Sequence, residues 1–549
     1  RKRGKMPDPA KRTVINPAVC EGCGDCGEKS NCVSILPLET EFGRKREIDQ
    51  SNCNKDFSCV KGFCPSFVTV TGGGLKKRKP NVQMDFNALP QPQFQSTLDQ
   101  PWNILITGIG GTGVVTIGAL IGMAAHLENK GGSVLDQTGL AQKGGAVTTH
   151  VRIAKTPDDI HAVRIAAGEA DLVLGCDMVV VNDYWALSKI RAERSTVVLN
   201  DYQAMPGTFT RNTDMQFPAK DIIAAVTTAL NGREPLQVAG TELALALMGD
   251  AIATNLLMLG YAWQKGLVPL SFEALMRAVE LNGAAVEMNK KAFAWGRMAA
   301  HNMAGVQAAA GMGASVQAAD FLGNNVSATE LAFVGEGKLS QSLDETVAVR
   351  SKFLTEYQNA AYAKQYGDFV AFVRSEEAKH TPEYTGLSEA VAKYLFKLMA
   401  YKDEYEVARL YSSPAFLKQI EDTFEGNIKL HLNLAPPLLA KKDENGHLLK
   451  QEYGAWALPA IKTLRHLKFL RGTALDVFGK TEERKMERAL IEDYQRNITT
   501  IVSQLSVSNH VQAVQFARLP EHIRGFGHVK EKHMAKVKAQ WAELMAKFA

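Results

Sequence analysis

Nowhere in the 549 residues do eighteen apolar residues follow one another, so no membrane span is expected. The basic start, Arg1-Lys2-Arg3-Gly4-Lys5, is not followed by the apolar run of a signal peptide. Cysteine is nearly missing outside one place: of eight, seven lie between Cys20 and Cys64, and Cys176 stands alone. Without an export signal, such a cluster speaks against disulfides and for a metal site in a reducing compartment, hence a cytoplasmic protein. No internal repeat is evident, and neither a nucleic acid nor a membrane is expected as a partner. Position 1 is Arg rather than Met, and the expectation is a piece of a longer polypeptide. What is present is ordinary for a globular chain, 46% hydrophobic and 22% charged, and long enough for three units.

Charge is uneven along that length. Residues 1–80 hold 16 Lys and Arg against 9 Asp and Glu, net +7, which exceeds the +5 of the whole chain. Simple solubility accounts for this. The sharper reading is a docking face for an acidic electron carrier, with Arg44, Lys45, Arg46, Lys55 and Lys61 as its residues.

Texture divides the chain further. Residues 1–80 are short segments broken by Gly, Pro and Asn, ending in Gly72-Gly73-Gly74 and a basic run. Residues 81–100, rich in Gln and Pro, read as a linker. From 101 to 303, strands expected at Asn103–Thr107, Ser133–Leu135, Ala146–Ile153, Leu172–Leu174 and Thr196–Leu199 alternate with helices expected at Val114–Leu127, Asp221–Leu230, Glu242–Gln264 and Ser271–Glu280. That alternation implies a largely parallel sheet covered on both faces. Residues 304–345, rich in Ala, Gly and Ser, read as a connector, and from Val347 the 346–549 segment reads as helical almost throughout. The fold class is therefore multidomain α/β with a mostly α-helical C-terminal domain.

The clustered cysteines form two runs, Cys20-x2-Cys23-x2-Cys26-x5-Cys32 and Cys53-x2-Asp56-x2-Cys59-x4-Cys64-Pro65. Each is a variant of the bacterial ferredoxin run, in which the fourth thiolate of one run ligates the other cluster. Two-residue gaps, helped by Gly22 and Gly24, let successive thiolates converge on the corners of one cube. Cys20, Cys23, Cys26 and Cys64 then hold one 4Fe–4S cluster, while Cys53, Cys59 and Cys32 hold a second whose fourth ligand falls on Asp56. A carboxylate is a harder ligand than a thiolate. The second site therefore stands open between 4Fe–4S with Asp56 or water, 3Fe–4S, and no cluster. Zinc is the other reading of Cys-x2-Cys pairs, and the three-cysteine run and terminal Cys-Pro weigh against it.

A second motif lies at Gly108-Ile109-Gly110-Gly111-Thr112-Gly113, between an expected strand and helix, with Asp136 ending the next strand. Gly108, Gly110 and Gly113 fit G-x-G-x-x-G, which would receive a dinucleotide pyrophosphate while Asp136 takes a ribose hydroxyl. Close helix–strand packing demands the same glycines. Lys143-Gly144-Gly145 forms a further loop, so a phosphate-rich ligand or a tight subunit contact competes with NAD. Cys176 sits in an apolar strand and reads as buried rather than nucleophilic. The C-terminal histidines (His431, His447, His466, His510, His522, His528) lack metal-ligand spacing and read as ordinary core or surface residues.

On these residues a family resemblance rests. Ile106 through Gly113, then Gly139 through Gly145 and His150-Val151-Arg152, resemble the gamma-type domain of 2-oxoacid:ferredoxin oxidoreductases. Ala253-Thr254-Asn255, Gln264-Lys265-Gly266-Leu267 and Leu281-Asn282-Gly283 continue the match. The cysteine module upstream, and the stretch from Tyr394–Tyr405 to Arg524-Gly525-Phe526-Gly527-His528, are similar to the bacterial fused indolepyruvate branch of that family. The resemblance implies a ferredoxin-like module at 1–80, a gamma-type domain at 101–303, and a role as the relay from thiamine-diphosphate-dependent oxidative decarboxylation to ferredoxin. Arylpyruvates are the implied substrates. Thiamine diphosphate, Mg2+ and coenzyme A serve the complete enzyme, itself a homo-oligomer. The thiamine signature, Gly-Asp-Gly followed at a distance by Asn, is not found; Gly249-Asp250 with Asn255 has the wrong spacing. The thiamine-binding part is thus expected on a partner domain or subunit, no catalytic residue is assigned here, and an NAD-dependent enzyme or a non-catalytic electron-transfer or assembly subunit are the alternatives.

Overall fold

The structure, a computed structural model, describes residues 9–76, 85–139, 145–312, 339–436, 440–444, 446–546 and 548. Strand β1 (Lys11–Ile15) leads to the short helix α1 (Asp25–Ser30), the hairpin β2 (Ile35–Leu38) and β3 (Lys45–Ile48), a 3-10 turn at Ser58–Lys61, and β4 (Phe67–Leu75). β1 and β4 pair antiparallel with Ile15 opposite Phe67, and the Asn16 N–H continues the ladder to the Ser66 carbonyl at 2.8 Å. That register has a direct consequence. The chain leaving β1 toward Cys20 runs beside the chain arriving from Cys64, so two runs far apart in sequence meet at one end of the sheet. Where α1 packs on the 3-10 turn, Gly62 leaves no room for a side chain: a Cβ there would lie 2.8 Å from the Cys26 Cα.

Residues 77–315 form a unit of their own. Its sheet contains β5 (Trp102–Ile109), β6 (Gly131–Thr138), β7 (Ala146–Ala154), β8 (Leu172–Gly175), β9 (Thr196–Asn200) and β10 (Leu236–Val238), in the order β10-β9-β8-β5-β7-β6. β10, β9, β8 and β5 pair parallel, while β7 pairs antiparallel with both β5 and β6, so that β6 again points the way of β5. The change at β5 follows from connection length, since β6 and β7 are joined too briefly for a crossover. The parallel strands are apolar on both faces, as doubly covered strands must be. Ile104, Ile106, Leu172 and Leu174 enter the core containing helix α2 (Val114–Leu127), whereas Leu105, Val173, Val197 and Leu199 enter the core of the opposite face. One expected helix divides. Glu242–Gln264 becomes Gly240–Met248 and Thr254–Gln264, because Gly249 ends the first in the left-handed region and Asp250 accepts the Ile252 N–H at 3.0 Å.

The C-terminal segment is helical at Leu343–Tyr357, Ala360–His380, Gly386–Met399, Glu404–Tyr411, Pro414–Thr423, Glu482–Ser503, His510–Arg518 and Gly527–Met545. Ser342, Asn359, Asp403 and Thr481 start four of these by accepting a first-turn N–H. Helix throughout is not what the segment forms, however. Strand β11 (Phe424–Leu434) interrupts it, and β12 (Gln451–Tyr453) pairs with β11. From Ile428 to Leu434 apolar and polar residues alternate, a period-two pattern suited to the open edge of β4. β11 pairs antiparallel with β4, Leu432 opposite Val68 and Phe424 opposite Leu75, with an irregularity between Gly426 and Lys429. The Gly72-Gly73-Gly74 stretch therefore lies inside a paired strand. Residues 1–76 and 316–549 together form one unit with a shared core. No described helix is long and apolar enough to cross a membrane.

Candidate metal centre

Cys20, Cys26 and Cys64 are buried and Cys23 is half-buried. Burial pushes the Cys23 thiol well up, and neighbouring Cys64, Cys26 and Cys20 push it further. Burial likewise raises Cys64, to about 11, with Cys20 adding to the rise. The other cysteines gather separately. Burial pushes Cys59 up to about 12, with Cys32, Cys53 and Asp56 contributing, and Cys53 is raised by burial and then by Cys32 and Asp56. Cys20, Cys23, Cys26 and Cys64 thus make up one neighbourhood and Cys32, Cys53, Asp56 and Cys59 another, the two meeting where Cys59 acts on Cys26. Cys23, Cys53, Cys59 and Cys64 would keep their protons unless a metal displaced them.

A repeated hydrogen bond links the two neighbourhoods. The N–H two residues on donates to Cys20 Sγ (from Gly22, 3.3 Å), to Cys53 Sγ (from Lys55, 3.4 Å) and to Cys64 Sγ (from Ser66, 3.5 Å), and Asp25 does the same for Cys23. Asp56 repeats it with oxygen, its Oδ1 accepting from the Ser58 N–H at 3.0 Å and the Ser58 hydroxyl at 2.8 Å. The carboxylate sits in a slot shaped like a thiolate's, but is exposed. Among the described residues, no three His, Cys, Asp or Glu are placed to hold a single metal ion. A 4Fe–4S cluster asks for something different, one thiolate at each of four irons, with N–H donors to sulfur tuning its potential. Soft donors in two sets, each supplied with such N–H groups, fit that group.

The basic stretch expected as a docking face turns inward. Lys45, Arg46 and Lys55 are buried, Arg44 pairs with Glu39 at 2.5 Å, and of the five only Lys61 is exposed. Lys402 and Arg524 of the C-terminal segment lie close to Lys45, and Cys20 and Cys26 lie close to Arg46. Burial lowers the Arg46 pKa, which Cys20 and Cys26 oppose, and Lys45 falls to about 8 through burial and nearby Lys402.

The C-terminal segment supplies residues that sequence reading missed. Lys402 Nζ donates to the carbonyls of Val19 (3.3 Å) and Cys20 (3.2 Å) and pairs with Glu21 at 2.5 Å. Burial pushes the Glu21 carboxyl up, yet Lys402, Lys45, Lys530 and Lys397 outweigh it and leave it at about 2. Lys450 Nζ donates to the Cys64 carbonyl at 3.2 Å, and the Tyr411 hydroxyl to that of Pro65. His528 packs its ring 4.8 Å from Phe63, and a Cβ on Gly525 would meet the Cys23 Cβ at 3.4 Å. Only the matched stretches Tyr394–Tyr405 and Arg524–His528 hinted that anything here faced the cysteines.

The glycine loop ends β5 as expected, but without a dinucleotide site's geometry. β7 lies between β5 and β6, so Asp136 on β6 is not on a strand adjacent to the loop, and its Oδ1 accepts the Thr149 hydroxyl at 2.6 Å. The Gly110 N–H is taken by the Gly145 carbonyl at 2.8 Å, and Asn255 Nδ2 holds the Thr112 carbonyl at 3.0 Å. A Cβ on Gly108 would strike Val114 Cγ2 at 2.5 Å, so helix–strand packing accounts for that glycine. Gly111 and Gly113 have φ of 89° and 101°, while Lys143 and Gly144 lie outside the described residues. Cys176 is buried, its thiol pushed up to about 12 by burial and Asp177. His510 is buried too, its Nε2 2.7 Å from Glu377 Oε1.

Comparison with known proteins follows the same division. Residues 103–299 match the family described as pyruvate ferredoxin/flavodoxin oxidoreductase, and residues 343–543 match a family of unknown function, DUF6537. Indolepyruvate oxidoreductase subunit IorB of Methanothermobacter thermautotrophicus is 30% identical over 194 residues, which is 35% of this chain and 94% of that protein. The IorB subunit of Pyrococcus horikoshii is 29% identical over 205 residues, 37% of this chain and 97% of that protein. Among solved structures, pyruvate oxidoreductase subunit PORC of Thermotoga maritima aligns with 17% identity and a TM-score of 0.26, covering 36% of this chain and 96% of that one. With nearly the full length of an IorB subunit covered at that identity, the chain belongs to the indolepyruvate oxidoreductase subunit family, within the pyruvate ferredoxin/flavodoxin oxidoreductases.

Proposed function

We propose that this chain is the electron-relaying part of a 2-oxoacid:ferredoxin oxidoreductase acting on arylpyruvates, the substrate class for which its IorB relatives are named. Cys20, Cys23, Cys26 and Cys64 hold one 4Fe–4S cluster, and Cys32, Cys53, Cys59 and Asp56 hold a second, with the carboxylate as its exchangeable corner. When bound, such a cluster accepts and releases one electron at a time. The chain's own residues do the rest. Gly22, Asp25, Lys55 and Ser66 direct N–H groups at the thiolates, Arg46 sets a cation beside Cys20 and Cys26, and the β1–β4 register holds the two runs together. Thiamine diphosphate, Mg2+ and coenzyme A are bound by a partner domain or subunit, and ferredoxin takes the electrons.

One observation supports this most: among the cysteines, Cys64 acts most strongly on Cys23 and Cys32 most strongly on Cys59, as an exchange of the fourth cysteine between the runs requires. The test combines the anaerobically purified chain with a thiamine-diphosphate-binding partner of the same enzyme. Arylpyruvate-dependent dye reduction, lost in Cys64→Ser, is expected. Equal rates in wild type and Cys64→Ser would contradict the relay.

A further inference from the structure

We infer that the C-terminal segment matching the family of unknown function is the electrostatic cover of the first cysteine set, keeping water from Cys20, Cys23, Cys26 and Cys64 and replacing its solvation with fixed lysine charge. The inference rests on the reading of those cysteines as cluster ligands.

Three of the four are reached from that segment at separate points. Lys402 bonds the Cys20 carbonyl, Lys450 bonds the Cys64 carbonyl, and Gly525 lies against Cys23. Tyr411 closes on Pro65, and the rings of His528 and His447 stack 4.1 Å apart beside Phe63. Cys20, Cys26 and Cys64 are only 5%, 8% and 6% exposed as a result. The second set is treated differently. Cys59 is as buried as Cys26, at 8%, but Cys32 and Cys53 remain half-buried, Asp56 is exposed, and the cation acting on Cys53 is Arg12 from the N-terminal strand.

Burial alone would make the first site hard to reduce. Reduction places one more negative charge within the ring of four thiolates, while no bond forms or breaks and no proton is taken up. In a medium of low dielectric that charge is costly unless a cation lies close, and a buried cation is little screened by salt. Lys402 is matched by Glu21, so much of its field is cancelled. Lys450 places its Nζ 3.2 Å from the Cys64 carbonyl, and against the burial that lowers its pKa it interacts with Cys64, Cys26, Cys59 and Asp25, Cys64 foremost, so its charge is directed at the thiolates. Lys450 is therefore a positioning residue for potential, although it contacts a carbonyl and no reacting atom. The C-terminal segment thereby acquires a task in the electron path.

The test is EPR-monitored redox titration of the iron-loaded full chain, taking the signal that survives Cys53→Ser as that of the first set. In Lys450→Gln the side chain can still donate to the Cys64 carbonyl but has lost its charge. Its midpoint is expected to move to more negative potential, more for the first set than for the second. Lys450→Arg should titrate like wild type, the shift should persist at high salt, and the exposed Lys441→Gln should leave it unmoved. Lys402→Gln, titrated in parallel, carries the same expectation, so a loading failure in one variant leaves the other to decide. Wild-type midpoints in iron-loaded Lys450→Gln and Lys402→Gln would overturn the inference. Absence of any iron–sulfur signal from wild type would instead remove the ligand reading beneath it.

Discussion

Glu41 and Arg350 stand 309 positions apart, yet their side chains are only 8% and 4% exposed and their charges meet at 2.6 Å. Glu41 lies in the turn between β2 and β3, and Arg350 on the helix Leu343–Tyr357. The Ser340 N–H donates to the second Glu41 oxygen at 2.7 Å, and the guanidinium lies within 6 Å of the Phe42 and Phe396 ring centres, at 5.8 and 5.5 Å. Removing the carboxylate by Glu41→Ala leaves a buried arginine without its counter-ion, a change that costs about 3–5 kcal/mol. At about 1.4 kcal/mol per factor of ten, the folded-to-unfolded ratio of this unit falls by a factor of about 10² to 4 × 10³. Replacing the partner too, as Glu41→Ala with Arg350→Met, should recover most of that loss, because the orphaned charge is gone. pH gives a second readout. Burial pushes the Glu41 carboxyl up, but Ser340 and Arg350 outweigh it and hold the pKa below the ordinary carboxylate value. A lowered folded pKa contributes stability that is present above the unfolded value, about 4.3, and disappears as pH falls through the folded one. Urea unfolding with hydrogen exchange of β4 and β11 amides, at neutral pH and at about pH 3, below the unfolded value, measures both effects. A Glu41→Ala protein within 1 kcal/mol of wild type, as a rough limit, with an unchanged pH profile, would refute a core shared between the cysteine module and the C-terminal helices.

Asp56→Cys supplies a soft ligand at unchanged spacing, so EPR should show any three-iron signal of the second site replaced by a 4Fe–4S signal; identical spectra in the two proteins would argue against ligation at this position. Gly62→Ala drives a Cβ to 2.8 Å from the Cys26 Cα, which should cost about 1–3 kcal/mol and lower the iron content measured per chain. In the central unit, burial lowers His150 to about 4, and Arg164 and Lys189 add to the shift. Its folded pKa lies below its unfolded one, so the stability it contributes is intact above about pH 6.5 and is lost as pH falls toward 4, a decline that thermal melts should show weakened in His150→Gln. Calorimetry with NADH should show no binding at the glycine loop, where Asp136 is engaged by Thr149.

Local patterns were legible in the sequence; pairings across long separations were not. α2 begins and ends where its apolar periodicity and glycine loop place it, and the parallel strands announce themselves by unbroken apolar runs. Both cysteine sets are proposals from spacing, which in the bacterial ferredoxin run encodes which thiolate belongs with which. Asp136 misled because G-x-G-x-x-G fixes the loop and the helix but not the strand order, which here inserts β7 beside β5. The lysines near the cysteines misled in the opposite direction. Charge in a sequence reads as surface, and Lys45 and Arg46 turn inward only because a segment more than 300 residues later covers them. β11 was hidden by its helical neighbours, and its alternation gains meaning only beside the open edge of β4.

Iron and acid-labile sulfide counted per chain after anaerobic purification test the cysteine reading most directly. Wild type should be brown, absorb broadly at about 400 nm, and carry about eight irons if both sites fill with four, or about seven if the Asp56 corner is vacant. Cys64→Ser should remove one cluster's share and Cys59→Ser the other's. Stoichiometric zinc with no iron or sulfide, unchanged after anaerobic reconstitution, would contradict it.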